Sequence, residues 1–309
     1  MKLLFFDDFR LGVLAGDSVV DVSAAVAGIP RVHPQDLIRG VIEQWPEYQA
    51  ILQQAAADRP AVPLSSVRIR PPVPRPANID CMAVNYLENG TLPAAPPINA
   101  FHKSPSAVIG NGDTMILPDV PATIFEGEAE LAVVIGARCS NVPAAEAMNY
   151  VFGYTNLIDG SARGLPPVAN GFYQMKSRDT FCPVGPFIVT ADEVPDPQAL
   201  TVRLWNNGQL MQDFATSDMA HKITRCIEFV SSVHALEPGD ILATGTNHRG
   251  LNPFMDGDRI ELEIGSLGRL QVSVRDDLKR TWKRQTRLER QEAQLEGPTP
   301  QVTGKYASQ

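Results

Sequence analysis

The sequence predicts a mixed α+β fold dominated by β-structure, and three observations carry that expectation. Strand-length apolar segments cut by Gly and Pro turns fill residues 78 to 282. A two-residue alternation runs through "DRIELEIGSLGRLQVSVRDD", where Ile260, Leu262 and Ile264 alternate with Glu261 and Glu263, and Leu270, Val272 and Val274 repeat the pattern after a glycine turn; this predicts a hairpin with one wet face. One segment in that stretch, "SDMAHKITRCIEFVSSVHAL", has the period of a long helix, with Met219, Ile223, Ile227 and Val230 on one stripe, Ser217 as its cap and Pro238-Gly239 beyond its end.

Taken in order, residues 1–70 predict a small N-terminal α/β module. "KLLFF" is its opening strand, "DSVVDVS" a second, and "PQDLIRGVIEQW" begins a helix that runs to Gln54. In "RPPVPRPANID", four prolines in seven residues exclude helix and central strand, so residues 71–77 are an extended connector. Residues 78–282 form the main domain. The tail, 283–309, starts as a charged helix and ends as polar, disordered chain.

The chain has 309 residues, 44% of them hydrophobic and 20% charged, enough to bury a full core. No apolar run approaches the roughly 20 residues of a membrane span. Asp7 and Asp8 cut off the apolar start, which argues against a secretory leader and makes the cytoplasm the expected location. A net charge of −8 disfavours general nucleic-acid or membrane-surface binding. An anionic substrate would need a locally built positive site. Cys81, Cys139, Cys182 and Cys226 lie far apart without a CxxC pair and read as buried thiols.

The chemistry concentrates in "EGEAELAVVIG", residues 126 to 136. In a strand, Glu128 and Glu130 share a face, with Ala129 and Leu131 on the other. Such pairs are common on solvated strands. Where they are buried, two adjacent carboxylates repel unless a proton or cation lies between them, and an oxygen-only set suits Mg²⁺ or Mn²⁺, with Ca²⁺ a further option. Asp159, ending an apolar segment in "YTNLIDGSARG", offers a third carboxylate. Lys176 in "KSRDTFCPVGP" and the Thr-Gly-Thr loop of "LEPGDILATGT" add polar groups downstream.

These strings, with "MQDFATSDM" between the last two, resemble the fumarylacetoacetate hydrolase family in order and spacing over roughly residues 76 to 280. The resemblance implies a mixed β-sandwich roll with flanking helices, a Mg²⁺ or Mn²⁺ site of three carboxylates, a homodimer and a small-molecule substrate. Position by position it implies Glu128, Glu130 and Asp159 as metal ligands, Lys176 as an active-site lysine, and Arg163 and Thr246 as substrate contacts. Arg163 has an equally natural structural reading, pairing with Asp159 or Glu128. Glu126 matches no ligand and is expected to be solvated or to back the site. Members act on 1,3-dicarbonyl compounds or 2-oxo acids by C–C hydrolysis, decarboxylation, isomerisation or hydration.

In the hydrolytic and many decarboxylating relatives a mobile lid after an Asn-Tyr pair supplies a His and then a Glu. Here the lid reads "VNYLENGTLPAAPPINAFHKSPS". Asn85, Tyr86 and Lys103 fit, the last two as substrate contacts, but Asn89 stands where the His is expected and the Glu is missing. Gly164 replaces an acidic residue, Pro166 a common Gln, and "TGTNHRGLNP" the commoner Thr-Gly-Thr-Pro form. His248 is the first candidate for the absent base, then Glu88 on the lid itself. His102 ranks lower because it neighbours Lys103 and must point the other way. His221 reads as structural. The leading expectation is therefore a metal-dependent C–C hydrolase. A decarboxylase or tautomerase needing only the metal and Lys176 is the alternative, and a non-catalytic relative the third. Lid residues 87–102 and the loop from Asn247 to Pro253 would set the substrate, with "LPAAPPINAF" favouring some apolar character.

Overall fold

The computed structural model describes residues 1–165 and 171–307. Two sheets hold the chain together. The larger has twelve strands. Its central path uses β1 (Lys2–Phe6), β2 (Arg10–Ala15), β3 (Ser18–Asp21), β4 (Ile79–Met82), β5 (Ala100–His102), β6 (Ile124–Ile135), β7 (Val151–Arg163), β8 (Cys182–Thr190) and β9 (Ile241–Ala243). In space these run β3-β2-β1-β8-β7-β6-β9-β4-β5. The N-terminal strands thus enter the same sheet as the rest, because β1 pairs antiparallel with β8, Leu3 opposite Ile188.

The smaller sheet has five strands and contains the hairpin read from the sequence, Arg259–Ile264 against Arg269–Arg275, with Leu262 opposite Leu270. Both long central strands, β6 and β7, are buried along almost their whole length. On β6, Ala129, Leu131 and Val133 face the core shared with the smaller sheet, including Leu204 and Leu262. Ala132 and Val134 face a second core with Leu37, Ile38 and Val41. That second face turns acidic toward the start of the strand, where Glu128 and Glu130 follow the same two-residue period.

Three elements differ from expectation, each for a local reason. The first helix is two: α1 (Pro34–Glu43) and α2 (Trp45–Asp58). Pro46 has no N–H to continue the first and sits in the first turn of the second, where that N–H is not needed. Helix α4 (Ile223–Val233) begins six residues after Ser217, which caps nothing in it. The intervening backbone is committed elsewhere: the His221 N–H donates to Asn85 Oδ1 (2.9 Å), the Ala220 N–H to the Asn85 carbonyl (2.9 Å), and Met219 bridges Tyr86. The apolar stripe survives the shortening, since Met219, Ile223, Ile227 and Val230 are all buried. Finally, the tail is not disordered over its described part. After α5 (Arg287–Glu292), residues Gln301–Thr303 pair antiparallel with Thr281–Trp282, and Tyr306 donates to Asp119 (2.6 Å). The four cysteines are free and buried, as expected. No described helix is long and apolar enough to cross a membrane.

Candidate active site

Pairing of β6 with β7 builds the acidic centre. Glu128 lies opposite Asp159 in the register, and Glu130 is two residues along on the same face. The three carboxylates are buried, and their oxygens lie within 4.8 Å of one another. Glycines make this approach fit. Gly127 and Gly160 face each other across the strands, and a Cβ on Gly127 would lie 2.4 Å from the ring of fully buried Phe254.

Four cationic side chains surround the acids. Lys176 ends α3 (Gly171–Lys176) and its Nζ donates to Glu128 Oε2 (2.8 Å) and Asp159 Oδ2 (2.5 Å). Lys103, just beyond β5, donates to Asp159 Oδ1 (2.6 Å) and to the Lys176 carbonyl. Its side chain is wholly enclosed, and its ammonium backs the Asp159 carboxylate. Burial alone would lower the Lys103 ammonium, but Asp159 outweighs it and the group stays above its ordinary range. Arg163 reaches Glu126 (2.5 Å) and Glu128, and Arg287 of α5 also grips Glu126 (2.5 Å). Glu126 is therefore buried and doubly ion-paired, not solvated.

The three central acids are not equivalent. Burial pushes Glu128 upward, yet Lys176, Arg163 and His248 outweigh it and hold its carboxyl well below the usual range. Glu130 is driven well above that range, by burial first and then by Asp159 and Glu128 beside it. It accepts the Gly245 N–H at 2.7 Å and has no cationic side chain in any ion pair among the described residues. A buried carboxylate crowded by two others and short of positive charge fits a hard divalent cation held by Glu128, Glu130 and Asp159.

The lid and the loop after β9 meet over this centre. Asn85 anchors the lid by donating to the Thr244 carbonyl (2.9 Å), and the Asn89 N–H donates to Asp218 (2.8 Å). Tyr86 is buried against Phe214, its hydroxyl without a hydrogen-bond partner among the described residues. Burial raises its phenol well above the ordinary value. Glu88, in the left-handed backbone region at φ 55°, turns its carboxylate onto His248, with Oε1 2.7 Å from Nδ1 and Oε2 accepting the His248 N–H at 2.9 Å. The two candidates for the missing base are therefore one unit. Asn89, in the position expected for the lid His, bonds the Asn247 amide (3.1 Å).

Thr246 is buried and accepts from Gln212 Nε2 (2.9 Å), which also donates to the Asn247 carbonyl (2.7 Å), while Gln212 Oε1 accepts the Ala129 N–H (3.1 Å). Gln212 joins the acidic strand to the Thr-Gly-Thr loop. The sequence had shown it only inside "MQDFATSDM", with no role attached. Arg287 was missed as well, because its partner is 161 residues away. His221 is structural, its Nε2 2.8 Å from the Pro96 carbonyl. His102 points away from the centre, toward Asp80. Gly164 has φ +70°, and a Cβ there would meet Thr123 Oγ1 at 2.1 Å, which leaves no room for an acidic side chain. Pro166 lies outside the described residues.

Residues 79–275 match the family described as fumarylacetoacetate (FAA) hydrolase C-terminal. A maleylpyruvate hydrolase of Aquipseudomonas alcaligenes is 32% identical over 291 residues, 89% of this chain and 99% of that protein. A mitochondrial oxaloacetate tautomerase of Bos taurus is 36% identical over 268 residues, 82% of each. Among solved structures, the maleylpyruvate hydrolase of Sphingobium sp. SYK-6 in complex with manganese(II) and pyruvate superposes with a TM-score of 0.81 at 36% identity, covering 89% of this chain and 99% of that one.

Proposed function

Because this chain belongs to the fumarylacetoacetate hydrolase family, we propose that it is a divalent-metal-dependent hydrolase that cleaves a C–C bond in a 1,3-dicarbonyl or 2-oxo acid. The observation that carries this reading is the bond between Glu88 and His248 at the rim of the acidic centre. It supplies the base that the lid otherwise lacks.

In this reading Glu128, Glu130 and Asp159 hold Mg²⁺ or Mn²⁺, which when bound supplies positive charge that makes an enolate less costly. The chain's own residues do the rest. Lys103 and Lys176 fix Asp159 and Glu128, and Lys176 sets its ammonium beside the substrate oxygen. Arg163 is already held by two carboxylates, so it presents what remains of its fork to a substrate carboxylate. Tyr86, whose buried hydroxyl has no partner among the described residues, and Thr246 of the Thr-Gly-Thr loop are the further substrate contacts of this reading. A His248 Nδ1–H donated to Glu88 leaves Nε2 with a lone pair, free to take a proton from water. Glu88 fixes that tautomer and stabilises the imidazolium that forms. The water oxygen bonds to the carbonyl carbon, the C–C bond breaks, and its electron pair leaves as the enolate, to which the imidazolium returns the proton. A homodimer completes the proposal, and light scattering of the purified protein checks it.

A second reading, a tautomerase or decarboxylase that uses no water, is favoured by Asn89 in place of the lid His and by the tautomerase relative. Turnover of 1,3-diketones and 2-oxo acids in H₂¹⁸O separates the two. Hydrolysis puts label into the product acid, and His248→Ala and Glu88→Gln each lower kcat by about 10²- to 10⁴-fold. Unlabelled product with unaffected variants selects the second reading.

A further inference from the structure

The antiparallel register of β4 and β5 sets Asp80 opposite His102, on the face away from the acidic centre, while neighbouring Lys103 turns the other way. His234, which follows the last residue of α4, completes a cluster with them. His102 Nε2 lies 3.3 Å and His234 Nε2 3.0 Å from Asp80 Oδ1, and the two rings stand 5.1 Å apart. The three ligand-capable atoms fall within 4.8 Å of one another.

Two details of the cluster suit it to a cation. His234 Nδ1 is 2.9 Å from the Ala235 carbonyl, which can only accept, so Nδ1 carries the ring proton. Nε2, 3.0 Å from Asp80 Oδ1, is then the nitrogen that shares either a proton or a cation with that carboxylate. A backbone carbonyl that fixes the tautomer of a histidine in this way is the usual support of a metal-ligating imidazole. Asp80, only 2% exposed, also keeps Oδ2 buried without a hydrogen-bond partner among the described residues. Protonating His234 would pair Oδ1 and still leave Oδ2 unsatisfied, which is costly in a protein interior.

We propose that Asp80, His102 and His234 form a second metal site, separate from the carboxylate trio, that takes a borderline transition ion such as Zn²⁺. Two imidazoles and one carboxylate are a donor set for Zn²⁺ rather than for Mg²⁺. The His102 side chain is 58% exposed, which leaves the ion open to solvent for a further water ligand. Bound there, the ion ties the end of α4 to the β4–β5 edge of the sheet.

The test is Zn²⁺ binding by the chelator-treated protein in excess Mg²⁺, counted after dialysis by elemental analysis. The wild type is expected to retain one more equivalent than His102→Ala or His234→Gln, and Glu130→Gln to retain that equivalent. Zn²⁺ should also raise the Tm of the wild type but not of His102→Ala, a surface substitution that leaves Mn²⁺ binding at the trio intact. Equal Zn²⁺ counts in the wild type and both histidine variants would overturn the proposal, whatever the fate of the catalytic reading.

Discussion

Gly127 and Lys103 show how closely the acidic centre is fitted. Gly127→Ala would press a methyl into the ring of Phe254, which is buried and cannot retreat. Overpacking of this kind costs about 1 to 3 kcal/mol; urea unfolding at constant m-value should show it, and an unchanged midpoint would contradict the packing described. Lys103→Met removes one partner of a fully enclosed pair with Asp159. In chelator the expected loss is about 3 to 5 kcal/mol, because the buried Asp159 carboxylate is left with Lys176 alone beside two further carboxylates. A loss below about 1 kcal/mol would mean Lys176 alone suffices. At this scale the sequence was legible in part: the shared face of Glu128 and Glu130 follows from two-residue alternation, Asp159 was marked by ending an apolar segment and by the family resemblance, and only the register of β6 and β7 puts it opposite Glu128. Glu126 obeys the same alternation, yet its burial depends on Arg287 of the tail helix, and no local pattern reports a partner that far along the chain.

Elements are held by caps that can be tested singly. Thr286 and Glu289 form a capping box at the start of α5, the helix that carries Arg287 to Glu126. Thr286→Ala should cost about 1 kcal/mol and speed amide exchange in α5; unchanged exchange would show the helix is held by Arg287 alone. At α1, the Asp36 carboxylate accepts the His33 and Val32 N–H groups, which lower it below its ordinary 3.8. That contribution is complete above 3.8 and is lost as pH falls through the lowered folded value. An NMR titration midpoint for Asp36 at or above 3.8 would contradict the cap. The Pro46 break was readable from helix chemistry, whereas the late start of α4 was not. Its first six residues look helical by period but are drawn off by Asn85, which lies 136 residues earlier.

Across the whole molecule the long-range pairings decide function. The hairpin at 259–275 and the buried β6 and β7 were foreseeable because each strand carries its own pattern. The joining of β1 to β8 and the meeting of Glu88 with His248 bring together segments about 160 to 190 residues apart, and only the assembled sheet determines them. Both base candidates were visible in the sequence as separate residues; their union was not. That union presupposes a centre competent to hold a divalent ion.

The most direct measurement is Mn²⁺ titration of the metal-free protein, followed by electron paramagnetic resonance, for the wild type, Glu130→Gln and Asp159→Asn. The wild type should take up one ion at the trio, and each variant should lose at least about tenfold in affinity. Equal affinity in all three, or no uptake by the wild type, would contradict a metal centre built from these carboxylates.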